Sequence, residues 1–174
     1  VSDRESIELI RFQLDKLSDE QLASITNLSK FEAIEDVLKD LILQDNLAKA
    51  QAVTNKIALL PSVESAQLSD EQQMLEVAAA YMALTKEQQP LVTNYAVFEQ
   101  VRDRINVLIK EENVRLAQPI IELINQLPNK ADVTLEHDDQ IAQVAAAYNA
   151  IPARARNEVK NYSTYNSVNN ALIT

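Results

Sequence analysis

Apolar residues fall three and four apart along the chain, the spacing of one-sided helices. Leu47, Ala50, Val53, Ile57 and Leu60 mark one such helix, which stops at Pro61. A short polar connection over 62–67 follows. Ser69 then stands where an N-cap oxygen can take unpaired amides, with Asp70 and Glu71 suited to the positive end of a new helix. That helix is expected to run to about Leu84, and its string VAAAY at 77–81 lets neighbouring helices approach closely beside one aromatic plug. Thr85 opens a turn whose Pro90, Leu91 and Val92 close the end of the bundle. Thr93 and Asn94 are the next start signal. A third helix from about Tyr95 carries Phe98, Val101, Ile105 and Leu108.

This pattern repeats at a constant offset of 67 residues. Pro61 falls on Pro128, Leu68 on Leu135, VAAAY at 77–81 on VAAAY at 144–148, Val92 on Val159, and Asn94-Tyr95 on Asn161-Tyr162. Carried backwards, the offset places Leu17 on Leu84, Thr26-Asn27 on Thr93-Asn94, Phe31 on Phe98, and Ser2-Asp3 on Ser69-Asp70. The chain therefore divides into a truncated unit, 1–40, and two three-helix units, 41–107 and 108–174. The expected fold is all-α: tandem three-helix-bundle repeats joined by shared long helices, a spectrin-like rod. Neither glycine nor proline interrupts Leu28–Leu60, which reads as one continuous helix of about 50 Å. Its apolar stripe is expected to change face between Leu41 and Leu47, since Phe31, Ile34, Leu38 and Leu41 form one seam and Leu47, Ala50, Val53 and Ile57 another. In the second linker Pro119 stands where the first has Ala52, and is expected to kink or interrupt the helix near Arg115.

Composition narrows the chemistry. The 174 residues include no glycine and no cysteine, and one histidine. Gly-rich phosphate loops, nucleophile elbows, EF-hand loops, thiol catalysis and conventional zinc sites all lack their residues. A net charge of −10 has the wrong sign for neutralising phosphates, so no nucleic-acid partner is expected. Nor is membrane insertion, because no apolar run approaches the roughly 20 residues of a span. The chain opens on Val1 and is expected to be an excised or processed piece.

The remaining candidates each have a plainer reading. Glu136-His137-Asp138-Asp139 is rich in ligand types, but consecutive residues fan around a helix, so capping is the expected role. Glu32 with Asp36 and Glu99 with Asp103 sit at i, i+4 on what should be solvated faces. Tyr81, Tyr95, Tyr148, Tyr162 and Tyr165 could form a carbohydrate platform; core packing is the preferred reading because Leu14, Leu28 and Phe31 occupy equivalent places. Asn27 and Asn161 open Asn-x-Ser sequons, but Asn94 does not, and all three fit a helix start better. No catalytic residue, cofactor, metal or small-molecule substrate is expected.

The stretch AYMALTKEQQPLVTNYAVFEQVRDRI, preceded by Leu60-Pro61 and Leu68-Ser69-Asp70-Glu71-Gln72, resembles a helical repeat of exported surface proteins of Gram-positive bacteria. The third unit keeps Leu127-Pro128, Leu135, Ala147-Tyr148, Val159 and Asn161-Tyr162 but departs at Ile151-Pro152; the first keeps Leu17, Glu20-Gln21 and Thr26-Asn27. The resemblance implies a non-enzymatic spacer or assembly segment of a bacterial cell-surface or surface-layer protein. Its location would be the cell surface or wall, and its partners would be proteins, through self-assembly or neighbouring surface domains. Two other readings stand beside it: an adhesive three-helix module that binds a host or partner protein, and an intracellular helical scaffold.

Overall fold

The computed structural model describes residues 4–173, and these are all-helical, with no strand among them. The match of Ser2-Asp3 to Ser69-Asp70 lies outside the described residues. Eight α-helices follow in order: α1 (Arg4–Leu14), α2 (Asp19–Ala23), α3 (Leu28–Ala58), α4 (Glu71–Met82), α5 (Tyr95–Asn125), α6 (Asp138–Ala150), α7 (Ala153–Arg156) and α8 (Tyr162–Ile173). Two compact units divide the described residues. One takes the chain up to Pro61 together with Gln72–Glu99; the other takes Ser62–Glu71 with Gln100 onward.

In the second unit three helices supply one core. Ala117, Ile120 and Ile124 of α5 meet Ile141 and Val144 of α6, with Tyr165 and Val168 of α8 and Val159 just before it. The spacing explains the choice: the α5 trio lies at i, i+3 and i+7, one face of a 3.6-residue helix. Every member of this set has a counterpart 67 residues earlier that is also buried, namely Ala50, Val53, Ile57, Met74, Val77, Val92, Phe98 and Val101.

Polar contacts repeat with the same offset. Asn94 Nδ2 donates to the Thr54 carbonyl at 3.0 Å, and Asn161 Nδ2 to that of Ile121 at 3.0 Å. Gln73 donates to the carbonyl of Leu59 and Gln140 to that of Gln126, at 3.0 and 2.9 Å. The aromatic rings stack in pairs, Tyr81 on Tyr95 and Tyr148 on Tyr162, each with centroids 4.0 Å apart. An Asn or Gln that ties a helix carbonyl to the next helix fixes both register and crossing at once, because an unpaired buried amide would cost about 1–3 kcal/mol.

Four sequence expectations need correction. Ser69 is not the N-cap. The extended residue is Gln67, whose N–H donates to the Asp70 carboxylate at 2.8 Å, and a 3-10 turn, Leu68–Asp70, leads into α4. A carboxylate three residues past the extended position closes the box better than Ser69 can from inside the turn. Second, Asn94 and Asn161 stand at helix starts, yet their amides bond a neighbouring helix instead of capping their own. Third, the stripe of α3 does not change face. Its less exposed positions run Phe31, Glu35, Leu38, Ile42, Asn46, Ala50, Val53 and Ile57, three or four apart throughout, while Ile34, Leu41 and Leu47 are exposed. Leu41 and Leu47 flank the seam, so the step between them measures its width and not a turn of it. Fourth, of the kink or interruption expected near Arg115, the interruption does not occur: α5 runs through Pro119 to Asn125. Ala117 and Ile120 on either side are anchored in the core, and Pro119 and Arg115 are exposed, so the carbonyl freed by the proline lies toward water.

The offset also exposes one missing bond. Asn46 accepts from Gln88 Nε2 at 2.9 Å, and Gln88 Oε1 accepts from the Thr85 N–H at 3.0 Å. Asn113, the counterpart of Asn46, is buried with Oδ1 unpartnered. Pro152 and Ala155 occupy the places of Thr85 and Gln88, so both the amide and the backbone donor that would orient it are gone. Ala155→Gln alone is expected to destabilise the chain. Together with Pro152→Thr it should recover, with a favourable coupling of about 1 kcal/mol in a urea-denaturation cycle of the four proteins.

Candidate interaction surface

The residues that could have carried chemistry do not converge. Among the described residues no group of three or more His, Asp or Glu side chains could hold a metal ion. His137 caps: its Nδ1 accepts from the Thr134 N–H at 3.1 Å, repeating the role of Asp70. Glu32 and Asp36 are exposed, and Asp36 pairs with Lys39 at 3.3 Å. Tyr165 is buried, and the other four tyrosines are half-buried in their stacks. Burial raises the Tyr81 and Tyr162 hydroxyl pKa values above the ordinary phenol range, as expected of packed rings. The amide of Asn161 is committed to Ile121 and, at 2.9 Å, to Asn125 Oδ1.

An open apolar face stands out instead, on α1 and the start of α3. The offset takes Ile141, Val144, Val159, Tyr165 and Val168 back by two steps to Ile7, Ile10, Ile25, Phe31 and Ile34. All five are apolar, and none is buried. Ile10 is 46% exposed and Ile34 is 53%, where Val144 and Val168 are 0% and 1%. Large β-branched side chains are thus exposed at positions whose counterparts are buried in the second unit. Leu9, Ile10, Gln13, Leu14 and Leu17 line a shallow groove along α1.

An ion pair joins the two helices. Arg11 of α1 forms a two-point ion pair with Glu35 of α3, with Nε 2.8 Å from Oε1 and a second contact from Nη2 to Oε2. The same guanidinium lies over the Phe31 ring, 5.2 Å from its centroid. Glu35 is largely covered, with its side chain 12% exposed. The hydrogen bond from Arg11 holds the Glu35 carboxyl below the usual carboxylate range. A carboxyl whose folded pKa lies below its unfolded value of about 4.3 stabilises the fold fully above that value, and the contribution fades as pH falls through the folded pKa. Arg11→Leu should therefore lower the melting temperature at neutral pH, and the gap from the parent chain should close on acidification below about pH 4.

Sequence reasoning did not single out this face, although its signal was present. Leu9 stands where the later units have Glu76 and Gln143, and Val37 where the second unit has Arg104.

No helix among the described residues is long and apolar enough to cross a membrane. No protein-family model, no curated protein and no solved structure matches the chain.

Proposed function

We propose that this chain is a non-enzymatic spacer and assembly segment, built as tandem three-helix bundles that share long helices, in a bacterial cell-surface or surface-layer protein. The observation that supports it most is the recurrence, at one offset, of the same buried set and the same Asn and Gln ties around two 31-residue helices, α3 and α5. A helix that leaves one core and enters the next without a break would transmit orientation between units, which a flexible linker does not. The resemblance to Gram-positive surface repeats supplies the location, and the net charge of −10 suits contacts tuned by salt. Its partners are proteins, and it needs no cofactor, metal or small-molecule substrate.

Small-angle X-ray scattering tests this reading. A compact 174-residue chain has a radius of gyration of about 16 Å. The spacer is expected to give a clearly larger value and an elongated profile, with mass rising as salt screens the acidic surface. A value near the compact one would overturn it. The open face of Ile10 and Ile34 favours a second reading, an adhesive module that binds a partner protein.

A further inference from the structure

Four charges on α5 have no charged counterpart in α3. Arg104, Glu111, Arg115 and Glu122 stand where the first long helix has Val37, Gln44, Ala48 and Asn55. A long helix of this repeat does not require them, since α3 runs for 31 residues without them. With Val107 and Gln118 they follow one another at steps of three and four, so they lie along one face of α5, within the second compact unit. That face turns away from the buried Ala117, Ile120 and Ile124: Arg104 is half-buried and the other five are exposed. Val107 is 48% exposed and lines a groove with Glu111, Arg115 and Pro119.

The order of these residues is complementary to itself. Counted outward from residue 113, Glu111 and Arg115 lie two places away on either side, Val107 and Pro119 six, and Arg104 and Glu122 nine. In an antiparallel pair of identical helices related by a two-fold axis, residues equally far from the axis on opposite sides face each other across the contact. An axis beside residue 113 sets Glu111 against Arg115, Arg104 against Glu122 and Val107 against Pro119, each twice.

We propose that this face of α5 pairs, antiparallel and about such an axis, with the same face of a second copy of the chain. Charge selects that occupant. The stretch 104–122 balances Arg104, Lys110 and Arg115 against Glu111, Glu112 and Glu122, so two copies of a chain of net charge −10 meet there along a neutral seam. Arg115 can serve both contacts, because its Nε and Nη2 bond Glu112 at 2.7 Å each while Nη1 lies outside that pair. Exposed ion pairs are individually weak, so the dimer is expected at chain concentrations of about 0.1–1 mM. The pairing gives the assembly reading its partner and rests on that reading, but not on the elongated shape of the spacer.

Sedimentation equilibrium of the full chain at one ionic strength, over a concentration series reaching about 1 mM, tests the pairing. The parent is expected to approach the mass of a dimer. Glu111→Arg and Arg115→Glu, both at exposed positions, should each weaken association at least tenfold, because the first sets arginine against arginine and the second glutamate against glutamate. Mixed in equal amounts, the two variants should pair again, since every junction then joins an arginine to a glutamate. Recovery in the mixture is a result that misfolding of either variant cannot produce. A parent that stays monomeric throughout overturns the proposal and leaves the face to a different protein. A dimer that neither reversal weakens overturns it too, as does a mixture that fails to recover. The spacer reading is separated by scattering: an elongated chain that never dimerises keeps the spacer and ends the pairing, whereas a compact chain that obeys the charge swap keeps the pairing and ends the spacer.

Discussion

Val144→Asp is expected to unfold most of the second unit's core, whereas Ile10→Asp, at the equivalent place two repeats earlier, should leave stability nearly unchanged. Val144 is fully buried in the apolar cluster of Ala117, Ile120, Ile141 and Val168. Keeping that carboxyl neutral at pH 7 requires raising its pKa by about three units, worth about 4 kcal/mol at 1.36 kcal/mol per unit, before any loss of packing. Domains of this kind are stable by about 5–15 kcal/mol, so one such change removes a large share. Val77→Asp, at 2% exposure, should behave like Val144→Asp. At 46% exposure the Ile10 side chain already meets water, so aspartate there keeps its hydration. Chemical denaturation of the three variants checks the series. Equal losses at all three positions would mean that the α1 face is closed.

The contrast bears on what could be read from the residues alone. The 67-residue offset, the unbroken run of α3, the start of α5 at Tyr95 and the capping role of His137 were legible, because each follows from local spacing and from matches between units. The facing of α3 was not. Ile34, Leu41 and Leu47 are as apolar as Leu38 and Ile42, and a helix with apolar residues on several sides offers periodicity no single answer. Packing decides, and it places Asn46 on the inner seam because Gln88 reaches it from 42 residues away. The Asn94 bond to Thr54 was hidden for the same reason: helix-start chemistry and a tertiary bond ask for the same residue type.

The two long helices differ at one position in a way that gives the other large effect. Ala52 is exposed inside α3, and Pro119 holds the corresponding place in α5. Ala52→Pro removes the residue-52 amide from its bond to the Ala48 carbonyl and forces its ring against that carbonyl, which costs about 3 kcal/mol in a helix interior. The loss should appear as an earlier denaturation midpoint with little change in far-ultraviolet dichroism, because Ala50 and Val53 remain anchored in the core beside the new proline. Pro119→Ala is the reverse experiment. It restores a donor for the Arg115 carbonyl and relieves the ring contact, so the chain should gain up to about 3 kcal/mol. The gain will fall short of that limit to the extent that Arg115, its side chain 70% exposed, already leaves its carbonyl satisfied by water. If α5 is one helix through Pro119, the two substitutions must act with opposite signs. A Pro119→Ala chain no more stable than the parent would mean that the helix breaks at the proline in solution.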